Sequence, residues 1–209
     1  LMLPTIATGN VGSALAGEYE VANSLRFNDD SSDRLIRTPS SSGNRKTFTN
    51  SFWVKRANLT RSYFYNAWDN STYTNSSMLN FSFNSNHALS IETGSTNLRT
   101  TTQVFRDVSA WYHIVLACDT TQSTASDRLK LYVNGVEITS FSTNNNVSQN
   151  TDMGWNHTFD ITLGSSGTSH YLDGYLAEFV NIDGQALDPT SFGEFDSDTN
   201  IWKPIDVSG

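Results

Sequence analysis

The chain of 209 residues is 37% hydrophobic and 16% charged, which is enough apolar content for one main domain with a single core. Its formal net charge of −8 argues against a nucleic-acid partner, because DNA and RNA binding depends on clustered Lys and Arg. No run of apolar residues is long enough to predict a membrane-spanning segment.

Short strand patterns separated by turn residues occupy most of the chain, and no pattern of a long helix lies between them. We predict strands at residues 19–27, 34–37, 48–55, 63–68, 77–83, 88–93, 100–105, 112–118, 129–133, 136–141, 160–163 and 174–182. Strands at this spacing are typical of a sandwich of two sheets. The sequence therefore predicts an all-β, antiparallel β-sandwich.

The clearest local signal is the segment Trp111 to Gly135, in which two strand-like runs are joined by a polar turn. The first run has apolar residues on both faces, as expected for a strand covered on both sides. The second ends in Asn134-Gly135, two residues that tolerate positive φ. We predict a tight hairpin there, leading into Val136.

Three regions follow from the distribution of these patterns. Residues 1–20 are rich in Gly and are interpreted as an N-terminal arm, residues 21–188 as the sandwich and residues 189–209 as a C-terminal tail. The tail contains one helical turn at 189–192 and two aromatic anchors, Phe195 and Trp202. Because the chain begins without Met, we expect it to be a portion of something longer.

Cysteine and histidine give no sign of metal or redox chemistry. The single cysteine, Cys118, lies in an apolar strand and is interpreted as a buried small hydrophobe. The histidines lack the spacing of zinc ligands and are interpreted as lone surface or interface residues. They are His87, His113, His157 and His170.

Four motifs occur in an order that resembles the laminin G-like, concanavalin A-like lectin/glucanase superfamily, in the form common in bacterial and bacteriophage proteins. They are FTNSFWVK (48–55), WYHIV (111–115), LKLYVNG (129–135) and LDGYLAEF (172–179). The resemblance spans roughly residues 20 to 188 and implies a jelly-roll arrangement of the sandwich. It says little about the ligand.

The segment from Ile182 to Pro204, reading IDGQALDPTSFGEFDSDTNIWKP, resembles tail-fibre and other virion proteins of marine bacteriophages. This resemblance implies a component of a phage particle, located on the surface of the virion. Other virion proteins and further copies of this chain are then the expected partners.

An enzymatic function is not expected. Glycoside hydrolysis needs two carboxyl groups at a controlled separation, and the laminarinase-like members of the superfamily resemble E-x-D-x-x-E. The nearest match, Glu194 to Asp198, lacks the final Glu and follows the predicted sandwich. We predict no catalytic residues and interpret this stretch as an acidic tail.

Sugar binding requires an exposed aromatic ring for the apolar face of the sugar and polar groups for its hydroxyls. Two loops combine aromatic, acidic and amide side chains in this way. The candidate carbohydrate-binding residues are Trp68, Asp69, Asn70, Tyr73, Trp155, Asn156 and His157. The alternative is that Trp68 and Trp155 close the ends of the core, since Trp is usually largely buried.

Calcium is kept as an alternative at the rim of the sandwich, because several laminin G-like domains carry such a site. Candidate ligands are Asp29, Asp30, Asp33, Asp69, Asp119 and Asp152. None of them shows the spacing of a known calcium loop, so no metal ligand and no cofactor is predicted.

These observations predict a non-enzymatic bacteriophage virion module that attaches to host surface glycans through the loops at the sandwich rim. Weak binding at each site would be made useful by many copies. The alternative is a purely structural capsid-decorating or assembly domain with protein partners only, which the arm and the tail favour.

Overall fold

The computed structural model describes residues 19–68, 78–94 and 96–207, which form fifteen strands and two short 3-10 helices. The strands are β1 Leu25–Phe27, β2 Leu35–Arg37, β3 Thr47–Arg56, β4 Ser62–Trp68, β5 Met78–Phe83, β6 Ala88–Thr93, β7 Thr96–Val104, β8 Tyr112–Asp119, β9 Leu129–Val133, β10 Val136–Glu137, β11 Phe141–Asn144, β12 Asp160–Leu163, β13 Gly174–Asp183, β14 Gly193–Phe195 and β15 Trp202–Pro204. The 3-10 helices are Ala125–Arg128 and Pro189–Ser191. No helix among the described residues is long and apolar enough to cross a membrane.

Two large antiparallel sheets form the sandwich, so the predicted fold class is confirmed. The six-stranded sheet has the order β1-β13-β3-β8-β9-β10, and the seven-stranded sheet has the order β11-β7-β6-β5-β4-β12-β2. A separate two-stranded sheet joins β14 to β15. Most predicted strands match observed ones within one or two residues, but the first is shorter, since residues 19–24 form no strand.

The core lies between the inner faces of the two sheets and is rich in aromatic rings. Side chains alternate between the two faces along each strand. In β5, Leu79, Phe81 and Phe83 are buried in the core, so Asn80 and Ser82 point to the outer face. Other core side chains are Phe48, Phe52, Val54, Phe64, Tyr65, Leu89, Ile91, Ile114 and Leu116. The buried Phe52 stacks on the partly buried Phe179 with ring centroids 5.5 Å apart, a contact that adds to the stabilisation from area burial.

The predicted hairpin is present between β9 and β10. Val136 pairs with Val133, and Asn134 and Gly135 both have positive φ, 48° and 79°, as a type I′ turn requires. The predicted strand 136–141 was wrong as a single element. It ends at Glu137, and the chain then crosses to the other sheet, where β11 pairs with β7.

Strand β8 is covered on both faces, as its pattern predicts. Ile114, Leu116 and Cys118 face the core, and Cys118 is buried with its pKa raised by burial. On the outer face, His113 is also buried. The interpretation of His113 as a surface or interface residue was therefore wrong, because the C-terminal tail covers it.

The tail folds back onto the six-stranded sheet. The predicted helical turn is observed as the 3-10 helix Pro189–Ser191, capped by Asp188, whose side chain accepts a hydrogen bond from the Thr190 N–H. The aromatic anchors differ: the Trp202 side chain is buried, whereas Phe195 is exposed and contacts Trp202 at 5.0 Å between ring centroids. The short strands β14 and β15 were not predicted.

Candidate functional site

Four residues of the predicted sugar-binding loops can be placed in the structure. Asp69, Asn70 and Tyr73 lie outside the described residues. Trp68 is the last residue of β4 and is partly buried. Trp155, Asn156 and His157 lie in the segment before β12. Of these four, only Trp68 borders a groove of the surface described below.

Trp155 closes one end of the core and offers no ring face to a ligand. Its side chain is 2% exposed and packs against Tyr65 with ring centroids 4.5 Å apart. Its indole Nε1 donates a 2.9 Å hydrogen bond to Oδ1 of Asn181. Because its ring is buried, Trp155 cannot stack on a sugar as predicted. It closes an end of the core, which is the alternative that the sequence left open.

Asn156 and His157 make local structural contacts. The Asn156 amide donates 2.9 Å and 3.0 Å hydrogen bonds to the Asn44 carbonyl and the Asp183 carboxylate. Its Oδ1 accepts a 3.0 Å hydrogen bond from Asn181. The His157 ring stacks on Phe159 at 3.6 Å between centroids. Both ends of the Asn156 amide are therefore engaged in holding the loop.

Trp68 borders a groove of about 170 Å³ at the edge of the seven-stranded sheet. Strand pairing builds it, because Trp68 lies opposite Asp160, and Asn66 opposite Thr162. Across the next strand, Thr162 pairs with Ile36 of β2. The rest of the lining is Arg34, Ser166, Gly167 and Thr168. An aromatic ring, a carboxylate, an amide and hydroxyl groups thus meet in one groove.

A row of polar side chains continues from this groove across the outer face of the seven-stranded sheet. Successive cross-strand pairs join Thr162 to Asn66, Asn66 to Asn80, Asn80 to Glu92 and Glu92 to Asn97. The Asn66 amide donates a hydrogen bond to Oδ1 of Asn80. We call these five residues the polar row. Its donors and acceptors stand at the regular spacing of the strands.

A charge cluster is attached to the polar row at Glu92. Arg61 Nη2 lies 3.2 Å from both carboxylate oxygens of Glu92, and Ser90 Oγ donates to the same carboxylate at 3.2 Å. The Tyr63 hydroxyl donates to Glu92 at 3.3 Å. Burial, together with the charge of Glu92, raises the pKa of Tyr63 to about 12, so this hydroxyl stays protonated and neutral.

Several buried polar atoms on this face have no hydrogen-bond partner in the described part of the chain. They include Ser82 Oγ, Asn97 Oδ1 and Arg61 Nε. Buried polar atoms in folded proteins are nearly always satisfied by protein or by ordered water. We expect ordered water to satisfy these three atoms.

The carboxylates of this face are poorly placed for hydrolysis. Asp160 lies on β12 and Glu92 on β6, with β4 and β5 between them. Three strand spacings correspond to about 14 Å, whereas glycosidases hold their two carboxyl groups about 5 to 10 Å apart. Asp160 also accepts a 2.5 Å hydrogen bond from Thr38 Oγ1. These two carboxylates therefore lie too far apart to act as a glycosidase pair.

The acidic stretch in the tail has a local structural role. Asp196 Oδ1 accepts hydrogen bonds from the backbone N–H of Asp198 and Thr199 and from the Thr199 hydroxyl. These bonds and Lys203 hold the pKa of Asp196 well below its usual range. Within the described ranges, no three His, Cys, Asp or Glu side chains cluster in a way that could hold a metal ion.

The polar row lies outside the predicted sugar-binding loops, although the sequence carries a signal for it. In β5 and β6, Asn80, Ser82, Ser90 and Glu92 alternate with core residues. A strand whose outward positions are all amide, hydroxyl or carboxylate differs from an ordinary charged surface strand.

The fold is similar to those of several solved structures. The native heptameric SAP-like pentraxin from Limulus polyphemus has a TM-score of 0.51 and 15% identity, covering 78% of this chain and 76% of that one. Domains LG4-5 of the mouse laminin α1 chain have a TM-score of 0.54 and 15% identity, and the match covers 90% of this chain and 46% of the laminin chain. The binding domain of Paraclostridial Mosquitocidal Protein 1 has a TM-score of 0.54 and 19% identity, and the match covers 80% of this chain and 41% of the other. At these identities the likeness shows the fold alone.

The sequence itself matches a family model over most of its length. No curated protein shows significant similarity to the chain. The family model described as the concanavalin A-like lectin/glucanases superfamily matches residues 30–190. This range contains every strand of the two large sheets except β1, and it ends before the tail strands β14 and β15. The chain belongs to the concanavalin A-like lectin/glucanases superfamily, with a laminin G-like sandwich.

Proposed function

We propose that this domain binds glycans without cleaving them, through the Trp68 groove and the polar row. The observation that carries the proposal is the pairing of Trp68 with Asp160 beside Asn66 and Thr162. An indole ring can cover the apolar face of a sugar, while amide, hydroxyl and carboxylate groups meet its hydroxyls. Membership of a carbohydrate-binding type of fold supports this function, although fold alone does not assign it.

The favoured ligand is a neutral glycan. On the polar row, the Glu92 carboxylate is balanced by Arg61 at 3.2 Å, so the pair offers little net charge. Asn66 and Asn80 are only 4% and 1% exposed, so the polar groups that a sugar can reach are those at the Trp68 groove. Amide and hydroxyl groups there match the hydroxyl groups of a neutral sugar. The formal net charge of −8 disfavours approach of a strongly anionic polysaccharide.

We further propose that the domain serves as an adhesion module of a bacteriophage virion. The support is the resemblance of the segment from Ile182 to Pro204 to virion proteins of marine phages. A repeated module gains apparent affinity through effective concentration, so a weak site suffices on a particle with many copies. Host surface glycans are the ligands that such a module would meet.

The rival function is assembly with protein partners only. One reason to favour it is that the tail could bind neighbouring subunits, and the contacts of the tail weaken this reason. In the structure, Trp202 is buried on the outer face of its own six-stranded sheet and stacks with His113 at 5.8 Å between ring centroids. The main aromatic anchor of the tail is therefore used within the chain.

Binding of the multimerised domain to a bacterial glycan array and to candidate host cells tests the proposal. Wild type is compared with Trp68→Ala and with Phe195→Ala, an exposed aromatic residue of the tail that lines neither the groove nor any other site proposed here. The proposal expects binding that Trp68→Ala weakens and Phe195→Ala leaves unchanged, while both variants keep the circular dichroism spectrum of wild type. An EDTA arm reports any dependence on calcium. Absence of binding by multimerised wild type on both arrays and cells would leave assembly as the better function.

A further inference from the structure

A second pocket, of about 330 Å³, lies on the outer face of the six-stranded sheet. Three tryptophans line it, namely Trp53 of β3, Trp111 just before β8 and Trp202 of β15. Its remaining walls come from residues 21–24, from Ala177 of β13 and from the tail at Lys203 and Pro204. The Trp68 groove is on the other sheet, so the two sites are separate.

The aromatic wall of this pocket is fixed before any ligand arrives. The Trp53 and His113 rings stack at 4.8 Å with an angle of 27° between planes. The His113 and Trp202 rings stack at 5.8 Å with an angle of 19°. A hydrogen bond from Trp202 to His113 locks this order. A rigid wall binds a ligand with less loss of conformational entropy.

Trp111 supplies the accessible ring of the pocket. Its side chain is 36% exposed and its ring lies 6.3 Å from that of Tyr175. Together with Trp53 and Trp202 it forms a contiguous aromatic patch, and such patches mark ligand or partner sites more often than single exposed rings do. Ring faces alone would suit any apolar molecule, so the polar groups of the pocket decide the class of ligand.

The pocket presents both donors and acceptors. Within the described ranges, the peptide groups of residues 21–23 make no hydrogen bond to the protein, nor do the indole N–H groups of Trp53 and Trp111. Asn23 and Ser24 add an amide and a hydroxyl. A sugar hydroxyl both donates and accepts, and it matches such a mixed wall. A proline-rich peptide offers mainly carbonyl acceptors, which would leave the peptide carbonyls of this wall unmatched.

Charge further restricts the ligand. Lys203 Nζ lies 3.1 Å from Asp196 and 3.5 Å from Glu194, so two carboxylates balance the one ammonium group in the lining. An anionic sugar would gain little from this lysine. The pocket size is near the lower end for small-molecule sites, which suits one or two sugar rings.

We propose that this three-tryptophan pocket is a second saccharide site that binds a neutral pyranose ring against Trp111. The site is independent of the Trp68 groove, and the two faces together would make the domain bivalent. Bivalence on opposite faces would let one module join two glycan chains, with the avidity that linked sites provide.

The test is titration of the ¹⁵N-labelled protein with neutral monosaccharides and disaccharides into the tens of millimolar, following the tryptophan indole N–H signals by NMR. The variants are Trp111→Ala, which removes the accessible ring, and Ser24→Trp, which fills the pocket from its edge. Trp68→Ala is the matched control on the other sheet. A proline decamer is titrated in parallel.

The expected result is a saturable shift of the Trp53 and Trp111 signals in wild type and in Trp68→Ala. Affinity measured at Trp53 should fall by about tenfold or more in Trp111→Ala and in Ser24→Trp. Three outcomes would overturn the proposal: no shift of these signals with any sugar, an affinity in both pocket variants equal to that of wild type, or shifts caused by the proline peptide alone. A loss confined to Trp68→Ala would support the first site and reject the second.

Discussion

The indole Nε1 of Trp202 donates a 2.9 Å hydrogen bond to Nδ1 of His113. Since Trp202 is the donor, Nδ1 must be the unprotonated nitrogen of the imidazole. The other nitrogen, Nε2, lies 2.8 Å from Ser51 Oγ and carries the proton, which it donates to that oxygen. The contact that attaches the tail to the sandwich thus needs a neutral histidine in one tautomer.

Acidification should weaken the folded state through this histidine. Burial lowers the pKa of His113 from 6.5 to about 4. In the unfolded chain the ring takes up a proton below pH 6.5, whereas in the folded protein it stays neutral down to about pH 4. The free energy of unfolding therefore falls as the pH drops through this window, by at most about 3 kcal/mol from this group, and levels off below it.

Two-dimensional NMR of the imidazole signals between pH 8 and 4 separates His113 from the carboxylates that also titrate in acid. We expect the His113 signals to remain those of a neutral ring until the pH approaches about 4. Urea unfolding at the same pH values gives the stability. A His113 signal that titrates near pH 6.5 in the folded protein would contradict this account.

Truncation of Trp202 should release the tail. The Trp202→Ala variant loses a buried indole and its bond to His113, and we expect a loss of about 3 to 5 kcal/mol in the free energy of unfolding. Limited proteolysis should then cut the chain after Phe192 faster than in wild type. The matched control is Phe195→Ala, since Phe195 in the same hairpin is 46% exposed. Equal protease sensitivity of the two variants would show that Trp202 does not hold the tail.

Gly135 combines two constraints that a pair of glycine variants can separate. Its φ is +79°, and a Cβ atom there would collide with Cε3 of Trp202. Gly167 has a φ of +85° with nothing within 4 Å of such a Cβ. The Gly167→Ala variant should lose about 1 to 2 kcal/mol from backbone strain alone, and Gly135→Ala should lose clearly more. Urea unfolding measures the loss of stability in both variants. Equal losses would mean that the Trp202 ring moves away from the new Cβ atom without any cost in stability.

The sequence revealed the hairpin at Gly135 but not the partner that lies over it. Asn134-Gly135 is a local signal, because the turn conformation depends on those two residues. The contact with Trp202 joins residues far apart in the chain, and no local pattern encodes it. The same limit explains His113, whose burial depends on the tail, and Trp155, whose aromatic and amide neighbours fitted both a sugar site and a core contact. The polar row was partly readable from alternation, yet its continuity depends on strand order.

Cys118 should be unreactive in the folded protein. Its side chain is 0% exposed, and burial, followed by the charge of Asp119, raises the pKa of the thiol. The thiolate is the form that attacks maleimides and disulfide reagents, so both access and ionisation oppose the reaction. We expect negligible labelling by a disulfide reagent at pH 8 in native buffer and complete labelling in denaturant, followed by absorbance. A Ser40→Cys variant supplies an exposed thiol on the same domain as the positive control. Rapid labelling of wild type under native conditions would mean that β8 opens readily, because Cys118 faces the core and its thiol is reached only when the packing of β8 against the core opens.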